Sequence, residues 1–472
     1  MRVALIPAIS LFLAFICTCN TPPPSAESSA GPAGEFPLKA YVEEGDEAFR
    51  YELAETVPGD GWTEYRIRMV SGTWLTPAEV DHPEWWHWLT VVVPEDLRET
   101  GSMMIIGGGS SHDSVPLPAE NWQIEAAVAT RSVISHVSNI PFQPIDFKGD
   151  NRDGRYEDDL IAFGWDQFLT GGADSSRVEW LARFPMTRAV VRAMDVVQEI
   201  TAYGPVPVQE FFVTGASKRG WTTWTTAAVD ERVMGMAPIV IDLLNIVPSF
   251  RHHWRCYGEW SPAVDDYVEQ GIMEWMETDE FRTLLETVEP YSFVDRITIP
   301  KLIVNATADE FFVTDSWQFY WDDLRGPSYL QYIPNGNHGL RGTYQPRSLI
   351  AFYRATISDD SLPEFSWDIR SDTLFMKIEP GTEYKIRLWQ AVNPGARDFR
   401  IYVTGEGAWK METLEQSVDG QYAVPVKTPE SGYRAALLEV IFRHASQWPL
   451  TFTSGTLVLP GTYPFGPFVP DS

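Results

Sequence analysis

A serine, an aspartate and a histidine occur in the chain order Ser, Asp, His, and the serine has the most distinctive surroundings. Ser217 lies in Gly215-Ala-Ser-Lys-Arg-Gly220, between a strand-like run and a helix-like run. Such a turn lifts a serine hydroxyl out of a sheet and places it at a helix N-terminus, where free N–H groups favour negative charge. The usual pattern is G-x-S-x-G, whereas Arg219 precedes the glycine here. We interpret Ser217 as a nucleophile on a variant of this turn; the alternative is an ordinary turn that contains a serine.

The acid and the base of a triad are predicted in loops that follow later strands. Asp309 comes soon after the apolar run Lys301–Asn305, and His338 follows the run Tyr329–Ile333 in a loop rich in asparagine and glycine. Open α/β sheets build their sites at the carboxyl ends of strands. His338 would take the proton of Ser217, and Asp309 would fix the tautomer of the imidazole and stabilise its charged form.

The identity of the acid stays open on sequence grounds. Glu310 and Asp315 lie close enough to Asp309 along the chain to take the same role. A loop histidine such as His338 is, in the alternative interpretation, an ordinary surface residue.

An oxyanion hole is the remaining requirement of acyl-transfer chemistry. The apolar run Ser102–Ile106 leads directly into Gly107-Gly-Gly-Ser110. A glycine run at that place lets backbone N–H groups approach a developing negative charge. We predict the N–H groups of Gly108, Gly109 and Lys218 as donors; the alternative is a flexible glycine turn.

The pattern of strands and helices predicts the fold class. Strand-like and helix-like runs alternate, which favours a mostly parallel sheet covered on both faces. The predicted strands are Phe49–Glu55, Glu64–Met69, Trp88–Val93, Met103–Ile106, Ser132–His136, Glu210–Val213, Met236–Ile241, Leu302–Asn305 and Tyr329–Ile333. The predicted helices are Asp158–Thr170, Thr187–Thr201, Thr222–Val229 and Asp315–Arg325. We therefore predict an α/β-hydrolase fold with a C-terminal β-sandwich domain.

Several long strings carry a resemblance to a known family. They are Glu157-Asp-Asp-Leu-Ile-Ala162, Trp165-Asp-Gln-Phe168, Phe184-Pro-Met-Thr-Arg-Ala-Val-Val-Arg-Ala-Met-Asp195, Gly215-Ala-Ser-Lys-Arg-Gly220, Leu388-Trp-Gln-Ala391 and Ala396-Arg-Asp-Phe-Arg400. Together they resemble the PhoPQ-activated pathogenicity-related proteins (the PqaA type). The resemblance implies an α/β-hydrolase-like domain, a C-terminal β-domain and a serine hydrolase of poorly defined substrate. The turn around Ser217 is separately similar to that of some carbohydrate esterases, in which a cationic residue follows the nucleophile.

The N-terminal residues predict export. Residues 1–19 begin with Met1-Arg2 and continue as an apolar run that is short for a membrane span, as in a signal peptide. Residues 20–35 are rich in proline and serine, as expected of a disordered linker after a lipidated Cys19. Lipoproteins prefer a small residue before that cysteine, and Thr18 departs from this preference. We predict a periplasmic or outer-membrane lipoprotein or, alternatively, a secreted protein.

Composition excludes several function classes. The net charge of −29 opposes binding to nucleic acid and to anionic membranes, which leaves an N-terminal lipid as the expected membrane contact. Cys256 is the one cysteine beyond the predicted leader, so we expect a buried free thiol. Neither Asp150–Gly154 nor the adjacent His252 and His253 has metal-ligand spacing. We expect no metal and no cofactor.

Residues 36–358 are predicted to form the hydrolase domain and residues 359–472 the β-sandwich. Within the first domain, the insertion 245–296 occupies the place of a cap over the site. We predict that Trp254, Tyr257 and Trp260 wall a substrate pocket, although aromatic residues at helical spacing more often belong to a core.

The favoured function is an exported serine hydrolase, a carboxylesterase that forms an acyl-enzyme with a small-molecule or polymer ester. A peptidase of the prolyl-oligopeptidase type uses the same chemistry on an amide and remains an alternative. So does a non-catalytic binding protein on a hydrolase scaffold. The sequence leaves the oligomeric state open.

Overall fold

A nine-stranded sheet forms the centre of the fold. The computed structural model describes residues 36–358, 361–443 and 448–470; the predicted leader 1–19 with Cys19 and the linker 20–35 lie outside these residues. The strands are β1 (Arg50–Pro58), β2 (Trp62–Thr73), β3 (Glu84–Pro94), β4 (Gly101–Ile106), β5 (Val133–Val137), β6 (Glu210–Ala216), β7 (Val233–Ile239), β8 (Lys301–Ala306) and β9 (Ser328–Ile333).

The strand order confirms the predicted fold class. The sheet runs β1-β2-β3-β5-β4-β6-β7-β8-β9. The pairs from β1 to β5 are antiparallel, whereas all pairs from β5 to β9 are parallel. Every residue of β8 is buried, as expected for a strand with both faces covered. The chain therefore has an α/β-hydrolase fold.

The register of the parallel strands brings their carboxyl ends to one edge of the sheet. Ile106, the last residue of β4, lies opposite Gly215 near the end of β6. Ala306 at the end of β8 lies opposite Ile333 at the end of β9. The loops after β4, β6, β8 and β9 therefore leave the same edge, and they contain the residues predicted from sequence to do chemistry.

Helices cover both faces and form most of the insertion. They are α1 (Pro37–Glu43), α2 (Asn121–Thr130), α3 (Glu157–Thr170), α4 (Arg183–Thr201), α5 (Lys218–Val229), α6 (Ile246–Tyr257), α7 (Asp265–Glu269), α8 (Asp279–Val288), α9 (Gln345–Ile357) and α10 (Ile401–Thr404). Helices α6, α7 and α8 lie within the predicted insertion 245–296. The Glu289 carboxylate accepts the Ile246 N–H at 2.6 Å, which fastens the end of α8 to the start of α6.

The predicted helix Asp315–Arg325 is wrong. The segment instead contains two short 3-10 helices, Ser316–Phe319 and Trp321–Asp323. The tryptophan in each packs against Trp367, with ring centroids 5.0 and 5.1 Å apart. Packing against Trp367 of the C-terminal region thus accompanies two short helices here instead of one longer helix.

The C-terminal region consists of two antiparallel sheets. One contains β10 (Phe365–Arg370), β11 (Thr373–Ile378) and β14 (Gln421–Pro425). The other contains β12 (Tyr384–Asn393), β13 (Lys410–Thr413), β15 (Tyr433–Phe442), β16 (Leu450–Thr453) and β17 (Leu457–Leu459). These antiparallel sheets agree with the β-rich C-terminal region predicted from sequence, which also contains the one-turn helix α10.

The C-terminal sheets share a core with the central sheet. The Tyr332 N–H of β9 donates to Thr453 Oγ1 of β16 at 2.9 Å, and Gln331 Nε2 donates to the Thr451 carbonyl at 2.9 Å. From Pro37 onward, the described residues form one compact unit. Across these same residues, the helices are too short or too polar for any of them to cross a bilayer.

Candidate active site

Ser217 lies in a strained turn between β6 and α5. Its backbone has φ 58° and ψ −125°, a combination that is costly for a residue with a Cβ atom. Its N–H donates to the Ile239 carbonyl at 2.7 Å, which holds the turn against β7. A Cβ atom at Gly220 would lie 3.0 Å from the Gly215 and Ile239 carbonyl oxygens. The close approach of helix and strand thus occurs at position 220, which explains how the turn accommodates Arg219.

His338 and Asp309 form a hydrogen-bonded pair at the ends of β9 and β8. The imidazole Nδ1 lies 3.0 Å from both carboxylate oxygens of Asp309. Asp309 is buried, and it also accepts the Phe311 N–H at 2.8 Å. The Phe311 ring lies against the imidazole, with centroids 4.1 Å apart. The orientation of the His338 ring is therefore defined on one side by a carboxylate and on one face by an aromatic ring.

The two competing acids have other partners. Glu310 Oε2 accepts the backbone N–H of His338 at 2.8 Å. Asp315 pairs with Arg397 Nη2 at 2.6 Å and with His252 Nε2 at 2.8 Å. Burial alone would raise the pKa of Asp315, but the charges of Arg397 and His252 hold that pKa well below its usual range. Of the three acids, Asp309 is the one bonded to the His338 ring.

No hydrogen bond joins Ser217 Oγ to His338 within the described parts of the chain. Phe311 and Phe312 lie next to both residues: their rings contact the His338 imidazole, and both line the cavity that contains Ser217. Catalytic hydrogen bonds are often long in the absence of substrate and tighten in the reacting complex.

The glycine loop after β4 lies beside the serine turn and has a defined conformation. The Gly107 N–H donates to the Val137 carbonyl at 2.8 Å, and the Gly109 carbonyl accepts Gln143 Nε2 at 2.9 Å. Among the described residues, nothing accepts the N–H of Gly108 or Gly109. Lys218 begins α5, so its N–H has no acceptor within the helix. The three predicted oxyanion donors are thus free to bind a ligand.

A partly buried ion-pair network lies next to these donors: Lys218 is buried, and the Glu157 side chain is 38% exposed. Glu157 Oε1 accepts Arg219 Nη2 at 2.5 Å, and Glu157 Oε2 lies 2.8 Å from Lys218 Nζ. Asp158 binds the same Lys218 Nζ at 2.8 Å. Burial opposes the charge on Glu157, but Arg219 and Lys218 lower its pKa to about 2. A Cβ atom at Gly108 would lie 2.7 Å from Arg219 Nη2, so the network also supports the glycine loop.

From the sequence, Glu157 and Asp158 were recognised as part of the family resemblance but not as residues of the site. One signal was present: two consecutive cations, Lys218 and Arg219, begin a helical segment that contains two tryptophans and no further charge up to Val229. Buried cations require buried acids, and the adjacent pair at the start of α3 was available.

A small cavity of about 30 Å³ lies beside Ser217. Its walls are mostly apolar and aromatic, with three charged side chains. The lining residues are Asp158, Trp165, Arg183, Ser217, Lys218, Trp221, Ile241, Leu243, Ile246, Phe250, Val264, Tyr267, Phe311 and Phe312. Four of these, from Ile246 to Tyr267, come from the insertion, so the insertion does contribute walls to the cavity.

The aromatic residues predicted to wall the pocket lie elsewhere. Trp254 and Trp260 pack against each other and against Phe468, with ring centroids 4.8 to 5.2 Å apart. The Arg400 guanidinium lies over the Tyr257 ring at 3.9 Å. None of the three is part of the cavity that contains Ser217. The cavity is lined by Ile246 and Phe250 from the first two turns of α6, whereas Trp254 and Tyr257 lie in its last turn.

Cys256 belongs to a buried cluster rather than to the site. Its thiol lies 2.8 Å from Arg397 Nη1 and 3.6 Å from His252 Nε2. Burial strongly raises the pKa of this thiol. In the ranges that the structure describes, no group of three or more His, Cys, Asp or Glu side chains could hold a metal ion.

Comparisons with known proteins place the chain in a family. The model of the PhoPQ-activated pathogenicity-related protein family matches residues 38–400. Autocrine proliferation repressor protein A of Dictyostelium discoideum is 34% identical over 467 residues, covering 91% of this chain and 92% of that protein. Among solved structures, an acetyl xylan esterase from Paenibacillus sp. R4 has a TM-score of 0.48 at 12% identity, covering 68% of this chain and 92% of the esterase. An acylaminoacyl peptidase from Pyrococcus horikoshii has a TM-score of 0.40 at 10% identity, covering 66% and 50%. Because the family model matches more than half of its length, this chain belongs to the PhoPQ-activated pathogenicity-related protein family.

Proposed function

We propose that this protein is a serine hydrolase, and specifically a carboxylesterase that works through an acyl-enzyme. The observation that carries the proposal is the arrangement at one edge of the sheet: a strained Ser217 beside unbonded N–H groups, and a His338–Asp309 pair on the neighbouring loops. Backbone strain that the surrounding structure maintains is characteristic of functional sites.

In the proposed reaction, Ser217 Oγ attacks the carbonyl carbon of the ester while His338 Nε2 takes the serine proton. The bond from the carbonyl carbon to the alcohol oxygen then breaks, and the alcohol leaves with the proton from His338. Water repeats the sequence on the acyl-enzyme and releases the acid. Asp309, bonded to His338 Nδ1 at 3.0 Å, would keep the proton on Nδ1 and leave Nε2 free as the base.

The free N–H groups of Gly108, Gly109 and Lys218 would stabilise the oxyanion of both tetrahedral intermediates. Donors fixed before the reaction need no reorganisation as charge develops, and losing one costs about 10²–10³ in kcat in characterised hydrolases. The bonds that hold Gly107 and Gly109 to their neighbours support such a fixed geometry.

The character of residues 1–19 supports export of this hydrolase, with Cys19 as a site of lipidation. Its substrate would then be an ester outside the cytoplasm.

Labelling with a fluorophosphonate probe tests the proposed nucleophile. We expect the purified wild-type protein to be labelled and to hydrolyse short-chain nitrophenyl esters, and Ser217→Ala to do neither. Ser110→Ala, a serine in the glycine loop, is the matched control and should still be labelled. A folded wild-type protein that neither labels nor hydrolyses any ester would refute the proposal.

A further inference from the structure

Arg183 is a buried cation in the cavity that contains Ser217. It is the first residue of α4 and is 2% exposed. Its Nη1 donates to the Lys218 carbonyl at 2.8 Å, and its guanidinium lies 4.4 Å from the centre of the Trp221 ring. Arginine stays charged in proteins even when buried, so this position places a full positive charge in the cavity wall.

This charge lacks a carboxylate partner. The charged residues that line the cavity are two cations, Arg183 and Lys218, and one acid, Asp158. Asp158 is already engaged, because it binds Lys218 Nζ at 2.8 Å and accepts the Tyr267 hydroxyl at 3.0 Å. Arg183 hydrogen-bonds Tyr267 and interacts with the charge of Asp158. Among the described residues, however, no carboxylate lies within ion-pair distance of its guanidinium, and its Nε–H has no acceptor.

Burying a guanidinium that has no ion-pair partner costs free energy unless a ligand supplies the opposite charge. The remainder of the protein is strongly acidic, with a net charge of −29, so surplus acid is available in the sequence. The lack of a carboxylate within ion-pair distance of Arg183 is therefore a local property of the site. Burial lowers the pKa of Arg183 although Tyr267 and Asp158 act to raise it, whereas the pKa values of Arg155 and Arg232, which form ion pairs with acids, are raised.

On the basis of the proposed function, we infer that the preferred substrate is an ester whose acyl group carries a carboxylate, and that Arg183 binds this carboxylate. The guanidinium is suited to a carboxylate because its N–H donors match the two oxygens. The apolar walls of Trp165, Trp221 and Phe250 would contact the carbon chain between the two ends of the acyl group. The carboxylate takes no part in bond making or breaking; it orients the acyl carbonyl toward Ser217.

A matched pair of esters tests this inference on the wild-type protein. Monoethyl glutarate carries a terminal carboxylate, and ethyl pentanoate has the same chain length without it. Hydrogen bonds to a charged group contribute about 1.5–3 kcal/mol, so we expect kcat/KM to be about ten- to a hundredfold higher for monoethyl glutarate. Release of acid is followed by titration at constant pH. Equal rates, or a preference for ethyl pentanoate, would overturn the inference.

Substitutions at Arg183 assign the preference to this residue. Arg183→Met should hydrolyse both esters at similar rates, and Arg183→Lys should retain part of the preference. Arg192→Met changes an arginine of the same helix that pairs with Asp195 outside the cavity, and it should keep the wild-type ratio. An unchanged ratio in Arg183→Met would show that the arginine only supports the start of α5.

Binding separates this inference from the proposed reaction. Calorimetry with Ser217→Ala should detect tighter binding of monoethyl glutarate than of ethyl pentanoate, by the same factor of about ten or more. This measurement also covers the case in which Arg183→Met does not fold. Selective binding without any hydrolysis by wild-type protein would support the anion site and refute the hydrolase. Hydrolysis of both esters with equal binding would refute the anion site alone.

Discussion

At the level of single residues, the site depends on which carboxylate holds the imidazole. Three acids are close along the chain, and each has a distinct partner: Asp309 the His338 ring, Glu310 the His338 backbone, and Asp315 the Arg397 guanidinium. A carboxylate at Nδ1 keeps the catalytic tautomer and stabilises the imidazolium, whereas a bond to the backbone only shapes the loop.

Asp309→Asn should therefore lower kcat by about 10³–10⁴, with little change in KM, because it favours the wrong tautomer. Glu310→Gln is the matched control from the next position and should lose less than about tenfold, since the amide oxygen can still accept the His338 N–H. Steady-state kinetics with a nitrophenyl ester, together with circular dichroism, would compare the two. A larger loss in Glu310→Gln would contradict the assignment of Asp309.

At the level of elements, three segments are joined by the Glu157 carboxylate. Glu157 begins α3, its Arg219 and Lys218 partners begin α5, and Gln143 connects it to the carbonyl of Gly109. The positions of the two helix starts and of the glycine loop thus depend on one acid. Such networks often contribute more than the sum of their separate bonds.

Glu157→Gln keeps the shape of this side chain but removes its charge and turns one acceptor into a donor that faces cations. Because the Glu157 side chain is partly exposed, we expect the free energy of unfolding to fall by only about 1 kcal/mol. We expect kcat to fall at least about tenfold, because the proposed oxyanion donors lose support. Glu269→Gln removes an exposed acid that pairs with Arg152 and should change stability by less than about 0.5 kcal/mol. Urea unfolding and ester kinetics would be compared. Equal effects of the two substitutions would count against the network.

At the level of the whole molecule, acidic groups dominate, and in the part of the chain that the structure describes Asp242 and Glu289 are buried without an ion-pair partner. Asp242 accepts hydroxyl groups from Tyr320 at 2.7 Å and from Tyr332, and burial raises its pKa to about 7. Glu289 is also buried, and burial raises its pKa to about 8. Both folded-state pKa values lie above those of exposed acids, about 3.9 and 4.3. The stability from each group is complete below these lower values and is lost as the pH rises through the folded-state pKa.

Between pH 5 and pH 8, Asp242 and Glu289 therefore decrease the free energy of unfolding, whereas the buried His87 and His253, whose pKa values burial lowers to about 4 and about 3, increase it up to about pH 6.5. Asp242→Asn mimics the protonated acid and should reduce this decrease by an amount on the order of 2 kcal/mol. Asp60→Asn, at an exposed position in the turn between β1 and β2, should leave the pH dependence unchanged. Denaturant unfolding of the three proteins at both pH values provides the comparison. The same change in the free energy of unfolding from pH 5 to pH 8 in the wild type and in Asp242→Asn would contradict the raised pKa of Asp242.

The sequence by itself determined those features of this protein that depend only on residues close together along the chain. The apolar runs of β4, β6, β8 and β9, the glycine loop and the turn at Ser217 are visible because strand formation, glycine conformation and chain order are local properties. Together they were sufficient for the fold class, and several long strings between Glu157 and Arg400 were sufficient for the family. Tertiary structure alone decided which acid is bonded to the His338 ring and that Glu157 pairs with Lys218 and Arg219. It also decided that no described carboxylate lies within ion-pair distance of Arg183. It also placed Trp254 and Trp260 against Phe468. In place of the expected helix 315–325, it formed two short 3-10 helices. The physical reason is that these outcomes depend on distances between segments far apart in the chain, and packing and charge pairing in the folded core set those distances.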